Sequence, residues 1–426
     1  MTPLCVNALR RSARQIFLKA VEAADPARAV RNALNQSPFP PPGPNGQYYV
    51  VSIGKAAPAM MREALRHIDG EYQALCVTHP ENEEQIDGAT CLHGAHPVPN
   101  ENSLAAGQAV KDLLAQAGAD DQVIALISGG GSALMALPAD RISIEDKGKV
   151  SALLLGVGID ITQMNLVRQQ LSQLKGGGML RVASPAPVTA YILSDVIGDD
   201  LRAIASGPTV APIGTRDNAR AICKAAGVWS DLPASVQKHL SQSGAPDDVP
   251  QTAQNHLIGS NRHSLHAAVL EAQSVGAVQI ISDMLTGDVR DAATTLLDAA
   301  ETAPAGTLTV LLAGGETTVQ LTGTGRGGRN QELALHVAMG AAKRGLHGDW
   351  VFLSGGTDGR DGPTDAAGGI VDADSLGRMI DAGTDPAALL HNNDSYAALQ
   401  ASGDLLMTGA TGTNVADIQC FLIAKS

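Results

Sequence analysis

A chain of 426 residues exceeds what one ordinary hydrophobic core supports, so two domains are expected. With 44% hydrophobic residues, 17% charged residues and a formal net charge of −13, the composition excludes a disordered chain and disfavours nucleic acid or anionic lipid as a partner, since both attract a positive surface. No apolar run approaches the roughly 20 residues that span a bilayer, and the cysteines Cys5, Cys76, Cys91, Cys223 and Cys420, none in a CxxC pair, point to reduced thiols and a cytoplasmic protein.

The first segment reads as an amphipathic helix in which Leu9, Ile16, Ala20 and Val21 share a face. An organelle-targeting peptide is the alternative, and Glu22 and Asp25 count against it. The proline-rich stretch 38–46 ends that helix. A buried strand (QYYVVSIGK), a helix over 57–67 and a second strand (YQALCVT) follow. A helix over 101–117 precedes a third strand (DQVIALIS), then come helices near 145–156 and 160–174 and a fourth strand (PVTAYILSD). Short apolar strands alternating with helices predict an α/β fold with a mostly parallel sheet covered on both faces. The polar, aperiodic stretch 240–254 marks a domain boundary, with residues 1–245 on one side and 255–426 on the other. After it come HLIGS, a helix over 262–275, VQIIS, another helix, TLTVLLAGG, TTVQL, a helix over 331–345, WVFLS and a final strand, IQCFLIA. The pattern leaves open whether these strands form their own sheet or return to the first.

Glycines and charges gather just after the strands, where open α/β sheets bind ligands. Lys55 follows Gly54 at a strand end and can reach a phosphate or carboxylate as a point charge; a solvated surface lysine is the plainer reading. Ser128, Gly129, Gly130, Gly131 and Ser132 form a turn whose backbone amides can face an anion. No GxxxxGK[ST] loop occurs. Lys175 and the glycines after it read as helix capping, with a ligand or hinge role as the alternative. Asp195, directly after an apolar strand, can hold Mg²⁺ or act as a base toward a hydroxyl; Asp199 and Asp200 read as a surface turn. In the second half Glu316 follows a Gly-Gly pair, and residues 323–328 match GxGxxG before a helix, with Asp349 near the spacing of a dinucleotide fold. Asp349 precedes its strand instead of following it, and Arg326 and Arg329 suit phosphoryl or carboxylate groups better. Asp358, Asp361 and Asp365 sit in a glycine loop and offer oxygen donors to a hard cation, or simply face solvent. His79, His93 and His96 match no zinc pattern and read as loop or core histidines.

The segments SIGKAA, HPVPNENS, ISGGGSAL, NLVRQQLSQLKGGG, LSDVIGDDLRAIASGPT, GGETTV, GRGGRNQELAL, GGTDGRDGPTDAAG and TGTNVADI, in this order over nearly the whole chain, resemble the class II glycerate 2-kinases with a C-terminal MOFRL domain. The resemblance implies a Rossmann-like larger domain, a smaller α/β domain of MOFRL type and an active site in the cleft between them. It implies transfer of phosphate from ATP, with Mg²⁺, to D-glycerate, giving 2-phosphoglycerate. Lys55, Asp195, Arg326 and Arg329 are then the catalytic candidates. Ser128–Ser132, Lys175, Glu316, Asn330 and Glu332 would contact substrate or phosphate, and Asp195, Asp358 and Asp361 the metal. Where many members carry a basic residue after NLVR, this chain has Gln169 and Gln170. Some members carry the name hydroxypyruvate reductase, which makes NAD(P)H-dependent reduction the alternative. Self-association as a homodimer stays open.

Overall fold

The computed structural model describes residues 6–82, 84–242 and 253–425. The chain divides into two compact units, residues 26–258 and residues 1–25 together with 259–426. Most of the linker expected over 240–254 lies outside the described residues.

The first unit is built on β1 (Tyr48–Ile53), β2 (Tyr72–Thr78), β3 (Thr90–His93), β4 (Gln122–Ile127), β5 (Val188–Leu193) and β6 (Gln254–Gly259), ordered β3-β2-β1-β4-β5-β6. β1 pairs in parallel with β2 and β4, and β2–β3 and β4–β5 are also parallel. Every residue of β1, β4 and β5 is buried, as strands covered by helices on both faces must be. Val51, Ile53, Val123, Ala125, Ile127, Ala190 and Ile192 form one side of that core. This is the doubly wound strand order, with its reversal between β1 and β4.

The second unit carries β7 (Ala277–Asp288), β8 (Leu308–Thr318), β9 (Asp349–Gly356), β10 (Gly368–Asp372), β11 (Leu405–Leu406) and β12 (Asp417–Ala424), ordered β11-β10-β9-β12-β8-β7. Only β7–β8 is parallel; the other pairs are antiparallel. β12 shows the two-faced layering by alternation. Phe421 and Ile423 pack with Trp350 and Phe352 toward helices Val289–Thr302 and Arg329–Arg344. Ile418, Cys420 and Leu422 face Phe17, Ile16 and Leu265 of helices Val6–Ala23 and Asn261–Ala272.

Several expectations change. The amphipathic first helix forms, but it packs in the second unit, on helix Asn261–Ala272 and on β9 and β12, not in the domain whose sequence follows it. The second half both lends β6 to the first sheet and builds a sheet of its own. TTVQL is no separate strand, because β8 runs through it only to Thr318. The helix expected over 160–174 stops at Gln170. Cys76, Cys91, Cys223 and Cys420 are free thiols. Among the described residues, no helix is long and apolar enough to cross a membrane.

Candidate functional site

In the first unit the strand ends at the order reversal bring three loops together. The Lys55 amide donates to the Gly129 carbonyl at 2.9 Å, and the Ala56 amide to Ser128 Oγ at 3.2 Å, so the turns after β1 and β4 are stitched to one another. Asp195, just past β5, closes the third side: a Cβ on Gly129 would lie 2.0 Å from Asp195 Oδ2, so only glycine fits there. Gly130 adopts φ +81°, and a Cβ there would sit 3.2 Å from Lys55 Cγ and 3.3 Å from His96 Cδ2. Lys55 itself is exposed. Burial pushes the Asp195 carboxyl above its ordinary range, against its own backbone amide and the Lys55 ammonium. Burial, then Lys55, then His79 hold His96 below the ordinary imidazole range. His96 thus belongs beside Lys55 and Gly130, although its sequence context read as loop or core. HPVPNENS contained the signal, but only contact with the glycine turn reveals it.

Ser132 and Lys175 continue this arrangement inward. Lys175 Nζ donates to the Ser132 carbonyl and Oγ, both at 2.7 Å, and Ser132 Oγ meets Ser206 Oγ at 2.9 Å. Lys175 is buried, which capping does not explain. Gln169 donates to the Arg202 and Ser206 carbonyls and accepts from the Ile213 amide. At that position, then, the chain uses an amide to join loops.

The second unit holds the arginines. Arg329 is committed: Nε and Nη2 donate to Asp417 at 2.6 and 2.9 Å, and Nη1 pairs with Glu316 at 2.9 Å. Arg326 is exposed, lies 4.6 Å over the Tyr396 ring and donates Nε to the Pro363 carbonyl at 3.2 Å. Tyr396 in turn donates to Asp365 at 2.8 Å. Asp417 and Tyr396 had drawn no attention in the sequence, because their importance lies in contacts to distant arginines.

Three expected ligands have structural work instead. Asp361 accepts from the Asn330 and Gln331 amides at 3.1 and 2.8 Å and so caps helix Arg329–Arg344; its 3% exposure leaves both oxygens turned inward. Asn330 is fully buried and accepts from Ser354 Oγ at 2.6 Å. Glu332 is buried against Asn393, which donates to its Oε2 at 3.1 Å. All three follow from the first turn of helix Arg329–Arg344 being buried in its unit. Asp358 stays at the surface side of its loop, accepting from the Arg360 amide at 3.0 Å. Among the described residues, no group of three or more His, Cys, Asp or Glu side chains converges to hold a metal.

The GxGxxG segment is closed by its own unit. The amides of Gly323, Thr324, Gly325 and Arg326 donate in turn to Asn393, Asn392, Asn392 and Asp394. A dinucleotide loop must leave such amides to a pyrophosphate. In the first unit, which has the Rossmann order, β2 ends at Thr78 and is followed directly by His79 and Pro80, not by the acid that grips a dinucleotide ribose.

The fold and site define a two-unit α/β protein with a glycine turn and Lys55 together at the reversal of a Rossmann-ordered sheet. Family models match at residues 12–241, a domain of unknown function (DUF4147), and at residues 309–417, the MOFRL family. A D-glycerate 2-kinase of Thermotoga maritima is 37% identical over 98% of this chain and 99% of its own. A protein of Agrobacterium vitis, provisionally assigned as a hydroxypyruvate reductase, is 40% identical over 97% and 94%. The crystal structure of glycerate kinase from Thermotoga maritima superposes with a TM-score of 0.90, covering 98% of this chain and all of that one at 37% identity. The chain belongs to the MOFRL-domain glycerate kinase family.

Proposed function

We infer that this chain is a glycerate 2-kinase, moving the γ-phosphoryl group of ATP to the 2-hydroxyl of D-glycerate and releasing ADP and 2-phosphoglycerate. The observation that carries the reading is the cradle of Lys55, the Gly129–Ser132 turn and Asp195 at the sheet's order reversal. Phosphoryl transfer asks a protein mainly for positioning and charge stabilisation. An exposed lysine beside glycine-rich backbone offers both without a covalent nucleophile. Asp195, buried against Gly129, is assigned to orient the glycerate hydroxyl and take its proton. Arg326, whose guanidinium is exposed, is assigned to the substrate carboxylate or transferring phosphoryl in preference to Arg329.

Mg²⁺ is part of the proposal in a restricted form. The described side chains build no cation cage, so the ion would be held chiefly by nucleotide phosphates and touched by a single carboxylate, Asp195. Bound there, it would neutralise charge on the phosphoryl oxygens. Asp361 has no place in that set, since helix amides occupy its oxygens. A cytoplasmic location belongs to the same reading, as does a homodimer if the protein self-associates; the net charge of −13 argues against nucleic acid or a membrane surface as partner.

The test runs two cuvettes with the purified protein. One holds D-glycerate, ATP and Mg²⁺ and follows ADP release; the other holds hydroxypyruvate and NAD(P)H and follows nicotinamide absorbance. ADP with 2-phosphoglycerate and a flat second trace is the expected result. Nicotinamide oxidation without ADP would overturn the kinase.

A further inference from the structure

Behind the Ser132 turn the first unit buries cations that no acid among the described residues answers. Lys147, on helix Ile144–Gly156, is 4% exposed, and its Nζ has no hydrogen-bond partner among the described residues. Lys175 is 3% exposed, and its ammonium donates to the Ser132 carbonyl and hydroxyl, both neutral, and lies against Lys147. Arg168 completes the group and donates Nε to Ser151 Oγ at 3.3 Å. Burial lowers the pKa of all three, and Arg168 adds to the effect on both lysines. Burial, then Arg168, brings Lys147 down to about 8, and burial, then Lys147 and Arg168, holds Lys175 well below its ordinary range. No carboxylate of the described residues figures among the groups acting on them.

Lys175 also lines a cavity of about 800 Å³ that lies wholly within this unit. Arg141, Arg181, Arg216 and Lys238 line it as well, and among the described residues Asp140 is its one carboxylate. Five cations against one acid is the reverse of the chain as a whole, whose net charge is −13. Lys55, Gly129–Gly131 and Asp195 are not in its wall, so it is separate from the strand-end cradle and joined to it through the Lys175–Ser132 contact. Buried uncompensated charges destabilise a fold unless a ligand answers them. A carboxylate supplies one charge. A phosphate supplies two and accepts from several donors at once, which suits Lys175 and the arginines of the wall.

We propose that this cavity is a binding site for a phosphorylated small molecule, held by Lys175 and the arginines of the wall, with Lys147 and Arg168 behind Lys175 and outside the wall adding to the positive charge that the phosphate answers. The inference extends the phosphate-cradle part of the kinase reading, but binding of free phosphate tests it without any turnover. Titration calorimetry at constant ionic strength would follow inorganic phosphate into the full-length protein and into Lys147→Met and Arg168→Gln. The expected result is saturable binding by the parent protein, weakened at least tenfold in each variant. The melting temperature of Lys147→Met without phosphate should be equal or higher, because an unanswered cation is gone. A purely structural Lys147 would instead lower that temperature and leave phosphate affinity unchanged; should that variant not fold, unchanged affinity in Arg168→Gln decides alone. Displacement of phosphate by ATP would identify nucleotide phosphates as the occupant, and displacement by 2-phosphoglycerate alone would identify a phosphorylated acid; both support the site. A parent protein that phosphorylates glycerate yet binds no phosphate overturns the site and leaves the kinase standing. Phosphate binding without turnover does the opposite.

Discussion

At the scale of single residues, the two arginines of the GRGGRNQE segment separate by what holds them. Arg329 is paired with Asp417, whose side chain is fully buried, so Arg329→Ala leaves a carboxylate in the interior without its cation. The expected loss is about 3 kcal/mol, read by denaturant unfolding. Arg326→Ala gives up a stacking contact of about 0.5–1 kcal/mol and one exposed hydrogen bond to the Pro363 carbonyl, and should shift its midpoint little while kcat/KM falls. Lys55→Ala should lower kcat about 10²–10³-fold with folding intact; turnover at the parent rate would remove Lys55 from the mechanism. Asp195 adds a pH test. Its carboxyl is raised by burial, so the charged form needed to take a proton appears only above the ordinary carboxylate range. The acid limb of kcat/KM should therefore lie above that of a free aspartate and disappear in Asp195→Asn. For stability the sign is opposite: the neutral form is favoured, and its contribution is lost as pH rises through the folded-state pKa. The candidates at strand ends (Lys55, Ser128–Ser132 and Asp195) were legible because glycine and charge directly after an apolar run have few structural explanations. Lys147 was not legible, since a lysine in a helix normally reaches water.

At the scale of elements, helix Arg329–Arg344 begins at Gly328, which has no side chain to cap it, and Asp361 from a distant loop does so instead. Asp361→Ala should cost about 1–2 kcal/mol and loosen the first helical turn, measured by urea unfolding and by amide exchange at Asn330 and Gln331. Unchanged exchange there would deny Asp361 that role. This is also why a carboxylate in GGTDGRDGPTDAAG looked like a metal ligand: composition shows an oxygen donor but not whether a helix has already taken it. The long strands were readable from uninterrupted or alternating apolar residues. β10 begins with two glycines and β11 has two residues, so neither carried enough β-forming side chains to announce itself. Burial was readable only as a face: the first turn of helix Arg329–Arg344 is polar in sequence, yet it is buried all round, with Asn330 and Glu332 satisfied internally by Ser354 and Asn393.

At the scale of the whole molecule, the chain does not divide where its sequence motifs do. The DUF4147 match begins at residue 12, within helix Val6–Ala23, yet that helix is a layer of the second unit. Leu9, Ala13, Ile16, Phe17 and Ala20 are buried with Leu312, Val351, Leu353 and Leu422. Arg10 fastens the helix further, donating Nη2 to the Ile370 carbonyl at 2.9 Å and to Asp404 at 2.8 Å. Local periodicity showed that the helix has an apolar face and could not show which sheet receives it. Burying that face removes several large side chains from water, and losing Phe17 alone is expected to cost about 3–5 kcal/mol. A fragment of residues 259–426 should therefore expose one face of its sheet and fail to give a cooperative melt. The same fragment with residues 1–25 restored through a flexible linker should melt cooperatively, and Phe17→Ala in that fusion should lower its midpoint. Cooperative unfolding of 259–426 alone, at a midpoint equal to that of the fusion, would show that the first helix is an ornament on the second unit and not one of its layers.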